Sequence, residues 1–180
     1  YQVEVNNAID FTAGHAFSDT IDGQNLMDTL NSLYNDSYYW RVRAIDELAN
    51  IGPYSETRGF VVDTDVDQVS LSTPNDGHET TEKSFAVSWT AITDSVSIDS
   101  YQIEVQNNLA FTQDQKYGNT VDRDFTTDTM SGFYNDTYYW RVRATDELGN
   151  IGPYSDTRGF VVDTDVLPVQ LISPLDGHET

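Results

Sequence analysis

The 180-residue chain contains no cysteine. Disulfides, thiolate nucleophiles and cysteine-held zinc are thereby excluded, although the lack does not fix a compartment. Basic residues are scarce. Nine Lys and Arg stand against 30 Asp and Glu, giving a formal net charge of -21, and lysine occurs only at Lys83 and Lys116. Such a surface repels nucleic acid and anionic membranes, and it suits cation binding or solubility in high salt. The three histidines are His15, His78 and His178, and the last two are repeat equivalents in a turn sequence, so a Ser-His-Asp triad has little to draw on. No apolar run approaches the roughly 18 residues of a membrane span, and no stretch has the makeup of a secretion signal. Phosphate-cradling glycine loops and zinc-ligand spacings are missing too. Paired carboxylates suited to glycoside hydrolysis occur all along the chain and therefore single out nothing. The sequence predicts a protein that is not an enzyme.

Aromatic mass, by contrast, is ample: 11 Tyr, 8 Phe and 3 Trp in a chain that is 38% hydrophobic. That fills small sandwich cores and is too much for a disordered segment. Comparing the chain with itself sets its organisation. Tyr1-Gln2-Val3-Glu4-Val5 returns as Tyr101-Gln102-Ile103-Glu104-Val105, and Tyr34 to Val66 returns as Tyr134 to Val166 with four changes: Ser37/Thr137, Ile45/Thr145, Ala49/Gly149 and Glu56/Asp156. Pro74 and Asp76 to Thr80 return within Pro174 to Thr180. The period is about 100 residues, the size of one sandwich domain. Residues 1–64 are expected to form the rear of a first repeat lacking its first two strands, 65–164 a complete repeat, and 165–180 the first strand of a following one, as in a window from a longer array.

Within the complete repeat, period-2 alternation marks the strands. Val69–Leu71 is a short first strand closed by the turn residues Pro74-Asn75-Asp76-Gly77. Phe85, Val87 and Trp89 alternate inward on a second, and Tyr101, Ile103 and Val105 on a third. Strands are also expected near Thr120–Asp124 and Phe125–Met130. Tyr138, Trp140, Val142 and Ala144 share one face of the next strand, with Tyr139, Arg141 and Arg143 on the other, and Thr157 to Val162 form the last. Seven short strands in about 100 residues predict an all-β, two-sheet antiparallel sandwich, repeated in tandem.

Trp89, Tyr101 and the run Tyr138-x-Trp140-x-Val142-x-Ala144, followed by Tyr154-Ser155 and Gly159-Phe160-Val161-Val162-Asp163, resemble fibronectin type III domains, immunoglobulin-like sandwiches, in the versions found in bacterial and archaeal surface proteins. At Phe133-Tyr134-Asn135 the sequence departs from that family's usual Leu-x-Pro. The resemblance implies a seven-stranded fold and a Tyr138 hydroxyl bonded back to nearby backbone. It also implies that the chain enters each domain beside the second-to-third and sixth-to-seventh strand loops. The linker residues Asp63, Asp65 and Asp67 would then meet Asp94 on one loop and Asp146, Glu147 and Asn150 on the other. Calcium takes six to eight such oxygens, so these seven residues are the expected metal ligands. The alternative is that they are turn formers and solvated charges. Asn35-Asp-Ser37 and Asn135-Asp-Thr137 are N-glycosylation sequons at equivalent positions, which makes Asn35 and Asn135 candidate glycan acceptors.

The leading functional expectation is structural: a repeat unit of an extracellular surface stalk, fibre or filament, contacting neighbouring repeats of its own chain, self-assembling, and stiffened by calcium. With strands of eight to ten residues, each domain would add about 30 Å of reach. The runner-up is an adhesive or carbohydrate-binding module array, with Tyr39 and Tyr139 stacking on a glycan and repetition serving avidity. The stretch Ala13–Leu33 differs most from its counterpart Gln113–Phe133, which is where a binding reading would look.

Overall fold

A computed structural model describes residues 1–12, 14, 16–166 and 168. The strand expected over 165–180, and His15 and His178, lie outside the described residues apart from 165, 166 and 168. All regular structure among the described residues is β. The chain divides into two compact units. The first comprises Tyr1–Val66 with the Thr93–Ile98 and Asp146–Ile151 loops, and the second the rest.

The second unit carries the complete sandwich. Strands β5 (Ser70–Thr73), β7 (Ser84–Thr90) and β10 (Thr127–Ser131) form one sheet in the order β10-β7-β5. Strands β6 (His78–Thr80), β8 (Ile98–Gln106), β9 (Tyr117–Asp122), β11 (Asp136–Asp146) and β12 (Arg158–Val162) form the other, in the order β6-β12-β11-β8-β9. With β5 and β6 counted as two halves of one split strand, this is the two-sheet antiparallel sandwich that the alternation implied, in the seven-stranded fibronectin type III-like arrangement that the resemblance implied. Burial alternates residue by residue along β11, with Tyr138, Trp140, Val142 and Ala144 buried and Tyr139, Arg141 and Arg143 half-buried on the opposite face. Val69, Val87, Trp89 and Met130 on the three-stranded side, and Ile103, Val105, Trp140 and Val142 on the five-stranded side, are all at most 3% exposed. At one end Phe133 packs on Tyr138 (4.8 Å between ring centres) and edge-on to Phe160 (5.0 Å). The Tyr138 hydroxyl accepts from Tyr134 N–H at 3.1 Å and donates to Tyr134 C=O at 3.2 Å, the corner that the resemblance implied.

The split of the first strand was not legible beforehand. After β5 the chain turns at Pro74–Gly77, where Gly77 takes φ +74°, and β6 crosses to the other sheet to pair in parallel with β12. The last strand stitches the crossing together. Arg158 donates to the carbonyls of Leu71, Ser72 and Pro74 at 2.6–2.9 Å, and the Asp76 carboxylate accepts from Gly159 N–H at 2.7 Å.

The first unit holds a four-stranded antiparallel sheet, β2-β1-β3-β4, of β1 (Gln2–Asn6), β2 (Ala16–Thr20), β3 (Asp36–Arg43) and β4 (Arg58–Val62). The β3–β4 register, Asp36 against Val62 and Trp40 against Arg58, is that of Asp136 against Val162 and Trp140 against Arg158 one period later. Val3, Val5 and Tyr38 are buried, while Trp40, Val42 and Phe60 are only half-buried and border an apolar hollow of about 690 Å³ with Leu26 and Met27 on its rim. Two tryptophans one period apart therefore sit in different surroundings. Trp140→Ala is expected to cost about 3–5 kcal/mol, and Trp40→Ala roughly half as much, because less surface is withdrawn from water there. Urea unfolding of the two variants checks the difference; equal losses would mean that the hollow is closed in solution.

Candidate functional site

Two polar arrangements are built identically, or nearly so, in both copies. The first lies on the outer face of β8 and β11. Arg141 donates through Nε and Nη2 to one oxygen of Glu104 at 3.0 and 2.8 Å, and Arg143 donates to Gln102 at 2.7 Å. The Arg141 guanidinium is sandwiched between the Phe111 and Tyr154 rings, 3.8 Å from each centre, and Arg143 lies 4.6 Å from Tyr154. In the first unit Arg41, Glu4, Arg43, Gln2, Phe11 and Tyr54 repeat this set. There burial pushes the Glu4 carboxyl up, but the Tyr54 hydroxyl and Arg41, backed by Arg43, outweigh it and hold the group below the usual carboxylate range. Phe11 and Phe111 supply their rings from left-handed backbone, φ 58° and 52°, a strained state for a bulky residue. The sequence placed the arginines on this face but did not find the phenylalanines or Tyr54 and Tyr154, since nothing local marks a positive φ in a non-glycine residue. The aromatic and charged groups here are spent on one another.

The second arrangement is the Asp46/Asp146 loop. Asp146 Oδ1 accepts from the backbone N–H of Leu148 and Asn150, at 2.9 and 2.8 Å, and Oδ2 accepts from the Asn150 side-chain amide at 2.8 Å. Asp46 repeats these bonds with Leu48 and Asn50. The surroundings differ. Asp46 is exposed, whereas Asp146 is 2% exposed.

What covers Asp146 belongs to the first compact unit, as the loop itself does. Asp63, Asp94 and Asp146 each offer a carboxylate oxygen, all within 4.8 Å of one another. Asn150 Nδ2 donates both to Asp146 Oδ2 and, at 3.0 Å, to the backbone carbonyl of Asp63. Asn35 Nδ2 donates to Oδ1 of Asp63 and of Asp65, at 3.3 and 2.5 Å, and its own Oδ1 accepts from Thr64 at 2.9 Å. The side-chain nitrogen that a glycan would take is thus engaged by two carboxylates, while Asn135 Oδ1 holds Thr164 in the equivalent way at 2.8 Å. Asp94 Oδ1 accepts from Ser95 N–H at 2.6 Å. The Oδ2 atoms of Asp63 and Asp94 are buried without a hydrogen-bond partner. Burial, and then the charges of Asp63, Asp146 and Asp65, push the Asp94 carboxyl up against the Ser95 bond that pulls it down.

Of the seven residues expected as ligands, the fold brings three carboxylates together and places Asp65 close enough for its charge to act on Asp94. Asn150 serves as an organiser through its N–H groups. Glu147 and Asp67 are exposed and outside the three-carboxylate group. Asn35 was legible only as a sequon, because its partners lie about 30 residues away.

No family model and no curated protein matches the chain. Solved structures similar to it include the FN1–FN3 domains of chicken CNTN1, at 18% identity and a TM-score of 0.42 over 89% of this chain and 55% of that one. Fibronectin(III)-like modules of Clostridium thermocellum CbhA match at 19% and 0.40, over 55% and 99%. The fn3 domain of human contactin 1 matches at 17% and 0.38, over 57% and 79%. The chain thus spans about half the length of the first of these. The fold assignment itself stands on the strand order described above.

Gly149 takes φ +86° with open space where a Cβ would sit, and Ala49 holds the same position at φ 65°. The backbone there shapes the loop that presents Asp146. Gly149→Ala is expected to destabilise by about 1–2 kcal/mol and Ala49→Gly to stabilise by about 1 kcal/mol or less, read from urea midpoints. Neutral results at both would show that this backbone relaxes out of the left-handed region.

Proposed function

We propose that the chain is a structural repeat unit of an extracellular surface stalk, fibre or filament, without catalytic activity. One observation carries this reading. The copies a period apart use the same residues for the same internal bonds, on the outer face as well as in the core: Arg41 and Arg141 on Glu4 and Glu104, at equal distances. A spacer needs many like units with stable outer faces, whereas a binding module needs side chains left over for its ligand. The acidic surface agrees with a protein kept soluble and apart from nucleic acid. No helix among the described residues is long and apolar enough to cross a membrane.

An antibody raised against the Tyr134–Val166 sequence is expected to label surface fibres at repeated intervals by immunogold electron microscopy, and label confined to the cytosol would overturn the reading. On a glycan array the chain is expected to bind nothing saturably. Binding that Tyr139→Ala abolishes would favour the carbohydrate-binding alternative instead.

A further inference from the structure

Acidic clusters are ordinary on a chain of net charge -21, and most are solvated. The group around Asp63 differs in two respects. Two of its members are buried, Asp63 8% and Asp146 2% exposed, and Asp94 is half-buried. The group is also unfinished, because Oδ2 of Asp63 and Oδ2 of Asp94 are enclosed without a donor. A carboxylate oxygen withdrawn from water with nothing to accept from is costly, and here two such groups stand beside a third carboxylate that repels them. The charges that act on Asp94 include those of Asp63, Asp146 and Asp65, all negative. The partner that would satisfy these oxygens is not found among the described residues.

We propose that Asp63, Asp94 and Asp146 bind a single calcium ion. Their oxygens lie within 4.8 Å of one another. Three oxygens no more than 4.8 Å apart lie within about 2.8 Å of a common centre, close to the calcium–oxygen bond length of roughly 2.3–2.6 Å, so one ion can reach all three. Asp63 and Asp94 offer the orphaned Oδ2 atoms. Asp146 has about four lone-pair sites and three hydrogen bonds, which leaves room for one more. Asn35 and Asn150 are positioning residues. Asn35 takes Oδ1 of Asp63 and leaves Oδ2 to the ion, and Asn150 joins the Asp146 carboxylate to the Asp63 backbone. An all-oxygen, three-carboxylate set disfavours zinc and copper, which prefer nitrogen and sulfur. Magnesium keeps most of its waters and usually takes one or two carboxylates. The ligands come from three segments far apart in sequence, so the ion acts as a cross-link within the first compact unit. The site stands whether or not the chain serves as a spacer, and surface labelling and metal binding can each fail without the other.

The test uses the whole 180-residue chain, stripped with EDTA and titrated with calcium chloride by isothermal calorimetry at constant ionic strength. One ion per chain is expected, with a dissociation constant of about 10⁻⁵–10⁻³ M and a melting temperature that rises with calcium. Asp94→Asn is expected to weaken binding tenfold or more. In EDTA the same variant should melt no lower than the parent, since it removes a like charge from a buried cluster, and this separates a lost ligand from a damaged fold. Asp46→Asn, in the exposed equivalent loop, should leave the affinity unchanged. No saturable heat, or unaltered binding by Asp94→Asn, overturns the site. Equal affinity for magnesium overturns its assignment to calcium.

Discussion

Along β11, Tyr138, Trp140, Val142 and Ala144 point between the sheets while Tyr139, Arg141 and Arg143 point away, and a strand can serve two faces at once only while its period of two is unbroken. A slip of one residue would put guanidinium groups into the apolar core and Trp140 into water. The inward set fixes how the sheets pack. The outward set then finds Glu104 and Gln102 at the positions that the pairing with β8 dictates, and the strand's far end delivers Asp146 to the acidic cluster. Core, outer ladder and candidate cation site are three uses of one alternation.

The same logic explains what could be read in advance. Alternation is a local signal, so the main strands and their inward residues were visible in the sequence. The corner at Tyr138 came through family resemblance. What escaped depended on partners far along the chain. Strand β6 looked like the tail of a turn because its strand partner, β12, lies about 80 residues away. Asn35 carried a sequon that drew the reading toward glycans, while its bonds to Asp63 and Asp65 depend on the fold. Acidic residues near 63, 94 and 146 could be named, but not the choice among them. Burial makes that choice, and a chain with 30 carboxylates gives no local cue to which will be covered.

The two Asp loops show how little separates a turn from a site. Asp46 and Asp146 make the same three hydrogen bonds, each shaping a short loop ahead of its own asparagine. In water the remaining negative charge is hydrated and unremarkable. Covered by the linker around Asp63, the same charge loses its hydration and stands beside two more. The chemistry lies in the covering, not in the loop.

The crossing of the first strand has a bearing on how long runs of near-identical repeats avoid error. An uncovered edge strand offers a template for any segment with the right pattern, and copies with nearly the same sequence are the most competent intruders. In the second unit β12 does not present such an edge, since β6 lies along it and Arg158 and Asp76 hold the crossing in place. The short parallel pairing is therefore a form of quality control. In the second unit the edge beside β12 is occupied by residues 78–80 of the same chain, which closes that edge to an intruding strand of similar sequence.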